Sequence, residues 1–309
     1  MKASKDLSPN RLRRIEGRHN ALVKELRLAF SRRELSASGV CAIEGVRIIE
    51  EAIRSGLRLR AVFVSESGQQ RAARLLPQVG LHVETLLVPD RLFAQAVATE
   101  SPQGVAALVH MKTYRLESVL GGSSSGPMVA LGGIQDPGNL GTILRSAEAF
   151  GVKGVLVGEG TVSPYNSKVV RASAGSIFRV PVAEAGLEAS IREMRAHGLR
   201  LLATSSRKGT PLPDSDLSGG IAVFIGNEGA GLDKKLVSEM DELVMIPHSP
   251  RVESLNAGIA ASIILYEAAR QKLDHRERPE EGGSPHVPQT SPSPRPAAGR
   301  ARWSDDEPV

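Results

Sequence analysis

The run Val129-Ala-Leu-Gly-Gly-Ile134-Gln-Asp-Pro-Gly-Asn139-Leu-Gly-Thr-Ile-Leu-Arg145-Ser-Ala-Glu-Ala-Phe-Gly151 decides how this chain is read. It passes from a short apolar segment through a Pro-Gly turn into a helix bounded by a glycine. The same alternation recurs along the second half of the chain. Val129–Gly132, Gly154–Val157, Leu199–Ala203, Ala222–Ile225 and Leu243–Ile246 are short apolar runs separated by helical segments. Strands alternating with helices need crossover connections, so this region is expected to be an α/β domain with a mostly parallel sheet and helices on both faces. Ligands of such sheets sit beyond the carboxyl ends of the strands, which directs attention to the loops there.

Three of those loops have unusual compositions. In the quoted run, Asn139 is placed to cap the helix, Arg145 falls midway along it, and Gly138 and Gly141 leave room for close backbone approach. Asn139 reads equally as a cap or as a binding group, and Arg145 as a solvent-facing charge or a reactive one. The second loop, Gly226-Asn-Glu228-Gly-Ala-Gly-Leu232, follows a strand with three glycines in six residues. It is neither a dinucleotide fingerprint nor a P-loop, since no GxGxxG or GxxxxGK[ST] is present. The third runs Ile246-Pro-His248-Ser-Pro-Arg-Val-Glu-Ser254-Leu255-Asn256 into an amphipathic helix carrying Ile259, Ile263 and Tyr266. Ser254 or Asn256 is expected to cap it.

Working outward, Gly121–Gly126 is a run of six small residues and separates a smaller N-terminal module. That module alternates a helix over Asn20–Phe30, a strand over Val40–Ile43 ending at Glu44-Gly45, a helix with Val46, Ile49 and Ile53, and strands at Leu59–Val64, Leu81–Val88 and Val105–His110. It shows no catalytic constellation, and its Arg-bearing helices suit binding. Residues 1–33 hold ten Lys or Arg against three Asp or Glu, a net of +7 out of +5 for all 309 residues. Such a run suits a polyanion, because neutralised phosphates release counterions, or else a solvated basic tail. From about His275 the chain is rich in Pro, Ser and Gly and poor in aliphatics, and is expected to be disordered. Trp303 lies there. The expected organisation is a basic N-terminus over 1–9, a binding domain over 10–112, a linker over 113–125, the parallel-sheet domain over 126–274 and a tail over 275–309.

Composition excludes several classes. A single cysteine, Cys41, precludes an internal disulfide framework or a CxxC site, and the seven histidines are scattered, so no metal site is expected. Aromatics are only 3%, too few for a base-stacking platform to be the main binding device. No apolar run reaches the ~18 residues of a spanning helix, and the first residues lack a signal-type apolar stretch. A cytoplasmic protein without membrane contact is expected.

Taken together and in order, NLGTILRSAEAFG (139–151), GNEGAGL (226–232) and IPHSPRVESLNAGIAASI (246–263) resemble the three motifs of the SpoU (TrmH) family of RNA 2′-O-ribose methyltransferases, in the SPOUT superfamily. His248 stands where that family commonly has methionine, and Gly258 where it commonly has serine. The N-terminal module, with Glu44-Gly45-Val46-Arg47, is similar to the L30e-like RNA-binding domain often fused in front.

The resemblance implies a C-terminal trefoil knot, S-adenosylmethionine as methyl donor, an RNA substrate and a homodimer with the site completed at the interface. It assigns Thr204, Gly226, Ile246 and Leu255 to the donor. Arg145, Asn139, Glu228, Ser254 and Asn256 are assigned to catalysis. Arg145 is then either the base for the 2′-hydroxyl or a clamp on the neighbouring phosphate; a pKa above about 12 weighs against the first role. Ribosomal RNA, 23S in particular, is the expected substrate. A tRNA 2′-O-methyltransferase and a non-catalytic RNA-binding or ribosome-assembly factor are the alternatives.

Overall fold

A computed structural model describes residues 12–277 apart from 16, 18, 33, 98, 123–125 and 228. Glu228, the first eleven residues and the tail with Trp303 therefore lie outside the described residues.

The N-terminal module is built on a five-stranded mixed sheet. In chain order its elements are β1 (Arg13–Arg14), α1 (Ala21–Arg32), β2 (Val40–Glu44), α2 (Val46–Arg54), β3 (Arg58–Ser65), α3 (Gln69–Ala72), β4 (Glu84–Val88), α4 (Asp90–Val97) and β5 (Val105–His110). The strands lie in the order β1-β4-β3-β5-β2, with β5 antiparallel to both its neighbours. Every residue of β2 is buried, as a strand covered on both faces must be. Phe63 of β3 packs with Leu26 and Phe30 of α1 and Phe93 of α4 on one side, and α2 covers the other. The strand expected from Leu81 begins only at Glu84; Leu81 is 92% exposed in the turn before it.

The C-terminal part continues with α5 (Leu116–Leu120), β6 (Met128–Leu131), α6 (Pro137–Ala149), β7 (Gly154–Val157), α7 (Ser167–Ala172), β8 (Val182–Glu184) and α8 (Leu187–Ala196). It ends with β9 (Arg200–Ser205), β10 (Thr210–Pro211), β11 (Ile221–Ile225), α9 (Lys234–Ser238), β12 (Glu242–Met245) and α10 (Ala257–Glu277). Seven strands pair in the order β10-β12-β9-β11-β6-β7-β8, every pair parallel. The two-residue side-chain period splits β11 between two cores. Val223 and Ile225 join α6, α7 and α10, while Ala222 and Phe224 join α5, α8 and α9. This is the expected mostly parallel sheet with helices on both faces.

Three details differ from expectation. Residues 116–120, inside the stretch read as linker, form α5, which buries Leu116, Val119 and Leu120 against the second sheet. The short strands β8 and β10 were not anticipated. The last helix runs on to Glu277, past His275.

The two sheets share a continuous core. The apolar cluster under α2 runs into α7 and α6, and charged contacts close the seam. Arg179 donates to both carboxylate oxygens of Glu148 on α6, and to Glu51 and Ser55 at α2, each at 3.0 Å. After β12 the chain returns past β9 and β11 to lay α10 on α6. The helices approach closely because the contact residues are small: a Cβ on Gly258 would sit 3.1 Å from that of Thr142, and the Ser146 and Ser262 hydroxyls are 2.7 Å apart.

Candidate active site

The carboxyl ends of β9, β11 and β12 open into a cleft of about 300 Å³ that also borders the start of α10. All four residues assigned to a donor molecule line it: Thr204 is next to last in β9, Gly226 follows β11, Ile246 follows β12 and Leu255 precedes α10. Ser254 lines it too. Gly226 is required there by packing. A Cβ at 226 would meet the backbone carbon of Gly231 at 2.4 Å and the nitrogen of Leu232 at 2.5 Å, and backbone does not yield as a flexible side chain would.

The glycine loop is shaped by Asn227, a residue the sequence reasoning passed over. Its Oδ1 accepts from the amides of Gly229 and Ala230 at 2.9 and 3.0 Å, and its Nδ2 donates to the Gly133 carbonyl at 2.9 Å. Its own backbone exchanges both hydrogen bonds with Gly231. One side chain thus fixes the turn and ties it to the loop after β6. An asparagine among glycines was the available signal, since Asx turns use that chemistry.

His248 donates from Nδ1 to the Ile246 carbonyl at 2.7 Å, holding the turn after β12 against the cleft. No Lys or Arg is among the described lining residues. Hydroxyls of Thr204 and Ser205 and loop backbone supply polarity, with Ile225, Val244 and Ile264 opposite. The lining suits a small molecule with an apolar body and a cationic centre, which no fixed positive charge would repel.

The catalytic candidates are arranged around this cleft rather than all within it. Asn256 caps α10, its Oδ1 accepting from the Ile259 amide at 3.2 Å, and its Nδ2 donates to Asn139 Oδ1 at 2.8 Å. Asn139 is not a cap. Asp136 caps α6, its Oδ1 accepting from the Asn139 amide at 2.8 Å, because Pro137 occupies the first helical position and leaves the residue before it as the cap. Arg145 stands exposed on α6, about 9 Å along the axis from Asn139, and has no ion pair among the described residues. Neither Arg145, Asn139 nor Asn256 lines the cleft itself.

Other titratable groups lie away from the cleft. Burial pushes the Cys41 thiol up to about 12, and burial with the nearby Glu184 pushes Tyr165 up to about 12. Both stay protonated and inert at neutral pH. No group of three or more His, Cys, Asp or Glu among the described residues is placed to hold a metal.

Residues 126–266 match the SpoU rRNA Methylase family, and residues 20–107 the MRM3-like substrate binding domain. The chain is 30% identical over 255 residues to the 23S rRNA (guanosine(2553)-2′-O)-methyltransferase RlmP of Bacillus subtilis, covering 82% of this chain and 98% of that protein. An uncharacterized tRNA/rRNA methyltransferase of Synechocystis sp. is 33% identical, with 84% and 94% covered. Among solved structures, the SpoU methyltransferase AviRb of Streptomyces viridochromogenes with its cofactor AdoMet superposes with a TM-score of 0.72 at 29% identity, covering 82% of this chain and 98% of that one. An AdoMet-bound rRNA methyltransferase of Sinorhizobium meliloti gives 0.71 at 28%, covering 84% and 98%.

Proposed function

Because the chain belongs to the SpoU rRNA methylase family, we propose that it transfers a methyl group from S-adenosylmethionine to a ribose 2′-hydroxyl of 23S ribosomal RNA. The observation that carries this reading is the meeting of Thr204, Gly226, Ile246 and Leu255 in one cleft at the strand ends, joined through the Asn256–Asn139 bond to the helix bearing Arg145. When bound, S-adenosylmethionine supplies an electrophilic methyl group that an oxygen nucleophile takes by in-line displacement.

The chain's own residues then have three tasks. The backbone around Gly226, Ile246 and Leu255 and the Thr204 hydroxyl hold the donor. Ser254, at the cleft's edge, and the Asn139–Asn256 pair fix the register between cleft and α6. Arg145, which has no hydrogen bond or ion pair from its side chain among the described residues, grips the phosphate flanking the target ribose and presents the 2′-oxygen. Glu228, within the glycine-rich sequence 226–232, is assigned to catalysis by the resemblance. Positioning of this kind supplies up to roughly 7–11 kcal/mol in the best cases.

The enzyme works as a homodimer. On α10 the core side is small and aliphatic, Ala257, Ala261, Ile264, Leu265 and Ala268, whereas Ile259 and Tyr266 are 52% and 55% exposed and Ile263 is at the surface beside them. Tyr266 stacks edge-on against Phe150, so this apolar strip extends onto the end of α6, the helix that carries Arg145. Covering it with a second copy buries it and adds a wall to the site. The return of α10 across β9 and β11 to α6 supports a knotted C-terminus. An rRNA substrate makes the cytoplasm the place of work; separately, no described helix is long and apolar enough to cross a membrane.

Labelled methyl transfer to unmodified rRNA and tRNA, followed by mapping of the modified position, tests the reading. Label is expected on a ribose of the large rRNA. Label on a base, or none on any RNA, would overturn it.

A further inference from the structure

Glu44-Gly45-Val46-Arg47 stands at a second, larger cleft of about 820 Å³, where the β2–α2 turn and α3 face α7 across the seam between the two sheets. Four exposed arginines line it: Arg47 from α2, Arg71 and Arg74 from and just after α3, and Arg171 from α7. Its acidic members are already engaged. Glu44 is 5% exposed and accepts from the Gln103 amide at 2.6 Å and the Thr99 hydroxyl at 3.0 Å, with Arg171 at 3.6 Å. Glu51 is paired with Arg54 and Arg179. Arg47 has no hydrogen bond or ion pair among the described residues. Arg71 bonds the Gln103 carbonyl and Arg74 lies 3.5 Å from Glu50, each leaving other donors outward, since a guanidinium carries five.

Glu44, Gly45 and Arg47 of this stretch have separate tasks. Glu44 uses a buried carboxylate to hold Arg171 of the other sheet at the cleft wall. Gly45 takes φ 106° and brings its α-carbon under Gln103, where a Cβ would meet Oε1 at 2.3 Å. That turn sends Arg47 outward.

The cleft lies on Arg145's flank of the molecule. Arg145 is one turn beyond Gly141 on α6, and Gly141 packs so closely on α7 that a Cβ would meet Ala172 Cβ at 2.3 Å and the Ser173 nitrogen at 2.9 Å. Arg171 is the adjacent residue. The helix that carries Arg145 and the helix that carries Arg171 therefore lie packed side by side.

We propose that this inter-sheet cleft is a second RNA-contact site, in which Arg47, Arg71, Arg74 and Arg171 take phosphodiester groups of the substrate strand. The inference rests on the RNA substrate proposed above. The cations come from both sheets, so RNA bound there spans the seam. Recognition is through backbone phosphate, which fixes position without reading sequence.

The test uses the full chain and unmodified rRNA, with binding followed by fluorescence anisotropy over a salt series and turnover by labelled methyl transfer. Arg47→Gln, Arg74→Gln and their double variant remove cations without touching the buried Glu44 bonds. Arg192→Gln on α8, on the opposite face of the sheet, is the equal-charge control for each single variant. For the double variant an RNA KM raised about tenfold is expected, with kcat and calorimetric S-adenosylmethionine affinity unchanged. The slope of log K against log salt should flatten by about 0.7–0.9 per lost contact. The control should leave both at the wild-type value. Wild-type KM and salt slope in the double variant would overturn the proposal while leaving the methyltransferase reading intact. A wild-type chain that binds no RNA would overturn both, and an equal loss in the control would reduce the effect to net charge and overturn this site alone.

Discussion

Asn256 Nδ2 donates to Asn139 Oδ1 at 2.8 Å, joining the cap of α10 to the first turn of α6 across 117 positions of chain. The same side chain's Oδ1 caps α10, so capping and positioning are two ends of one amide. Asn256→Asp separates them. It keeps the cap acceptor but turns an oxygen toward Asn139 Oδ1. Urea unfolding should change by under about 0.5 kcal/mol while kcat falls, whereas Asn256→Ala should also lose about 1 kcal/mol of stability. Equal kcat losses without a stability difference would contradict this division.

Arg145→Lys keeps the charge and loses the planar fork. With Arg145 on the flanking phosphate, turnover should fall by about 10²–10³, the scale of losing one oriented donor at a reacting centre. Donor affinity by calorimetry should not move, because Arg145 does not line the cleft.

Gly226→Ala places a methyl group against the Gly231 and Leu232 backbone. The loop must shift, at about 1–3 kcal/mol of overpacking. S-adenosylmethionine Kd should rise at least about tenfold, with a lower Tm, and a variant with wild-type affinity would remove Gly226 from the donor site.

Ile263→Asp puts a charge in the exposed strip of α10. Sedimentation of the wild type should give the mass of two chains at micromolar concentration, and of the variant one, with turnover lost and Tm nearly kept. A wild type that sediments as one chain would exclude the dimer.

Acid should loosen the seam between the sheets. The hydrogen-bonded Arg179 guanidinium holds the Glu148 carboxyl below its usual range. A depressed folded value means that the contribution is present above the unfolded value of about 4.3 and is lost as pH falls through the lower folded one. The Tm gap between wild type and Glu148→Gln should therefore be constant from pH 7 to about 5 and close below pH 4. A gap that persists at pH 3 would show that packing, not charge, holds this contact.

Much of this was legible from periodicity. The alternation after Val129 predicted the parallel sheet because its central strands are short buried runs, while Thr204, Gly226, Ile246 and Leu255 were assigned by the resemblance of the strand-end loops to the family's motifs, and they line one cleft. Strands of two or three residues such as β10 and β8 carry too few side chains to show a period. α10 misled differently. Ile259, Ile263 and Tyr266 mark an amphipathic helix in the sequence, yet alanines and Ile264 and Leu265 face the core; a helix apolar on two sides has no single stripe to read. The sequence pointed to Asn139 as the α6 cap, whereas Asp136 before Pro137 makes it, which leaves the Asn139 side chain for another task. Its partnership with Asn256 and the meeting of Arg47 with Arg171 are products of long-range packing, which spacing does not encode.

The closing wall of the donor cleft comes from residues 254–264, long after Arg145 and the Gly226 loop have been made. A chain cut at residue 250 keeps Arg145, the Gly226 loop and the walls from β9, β11 and β12, and lacks Ser254, Leu255, Asn256 and the wall that α10 adds. A ligand seated in the cleft touches both the Gly226 loop and residues 254–264, so its binding stabilises the docking of α10 on α6.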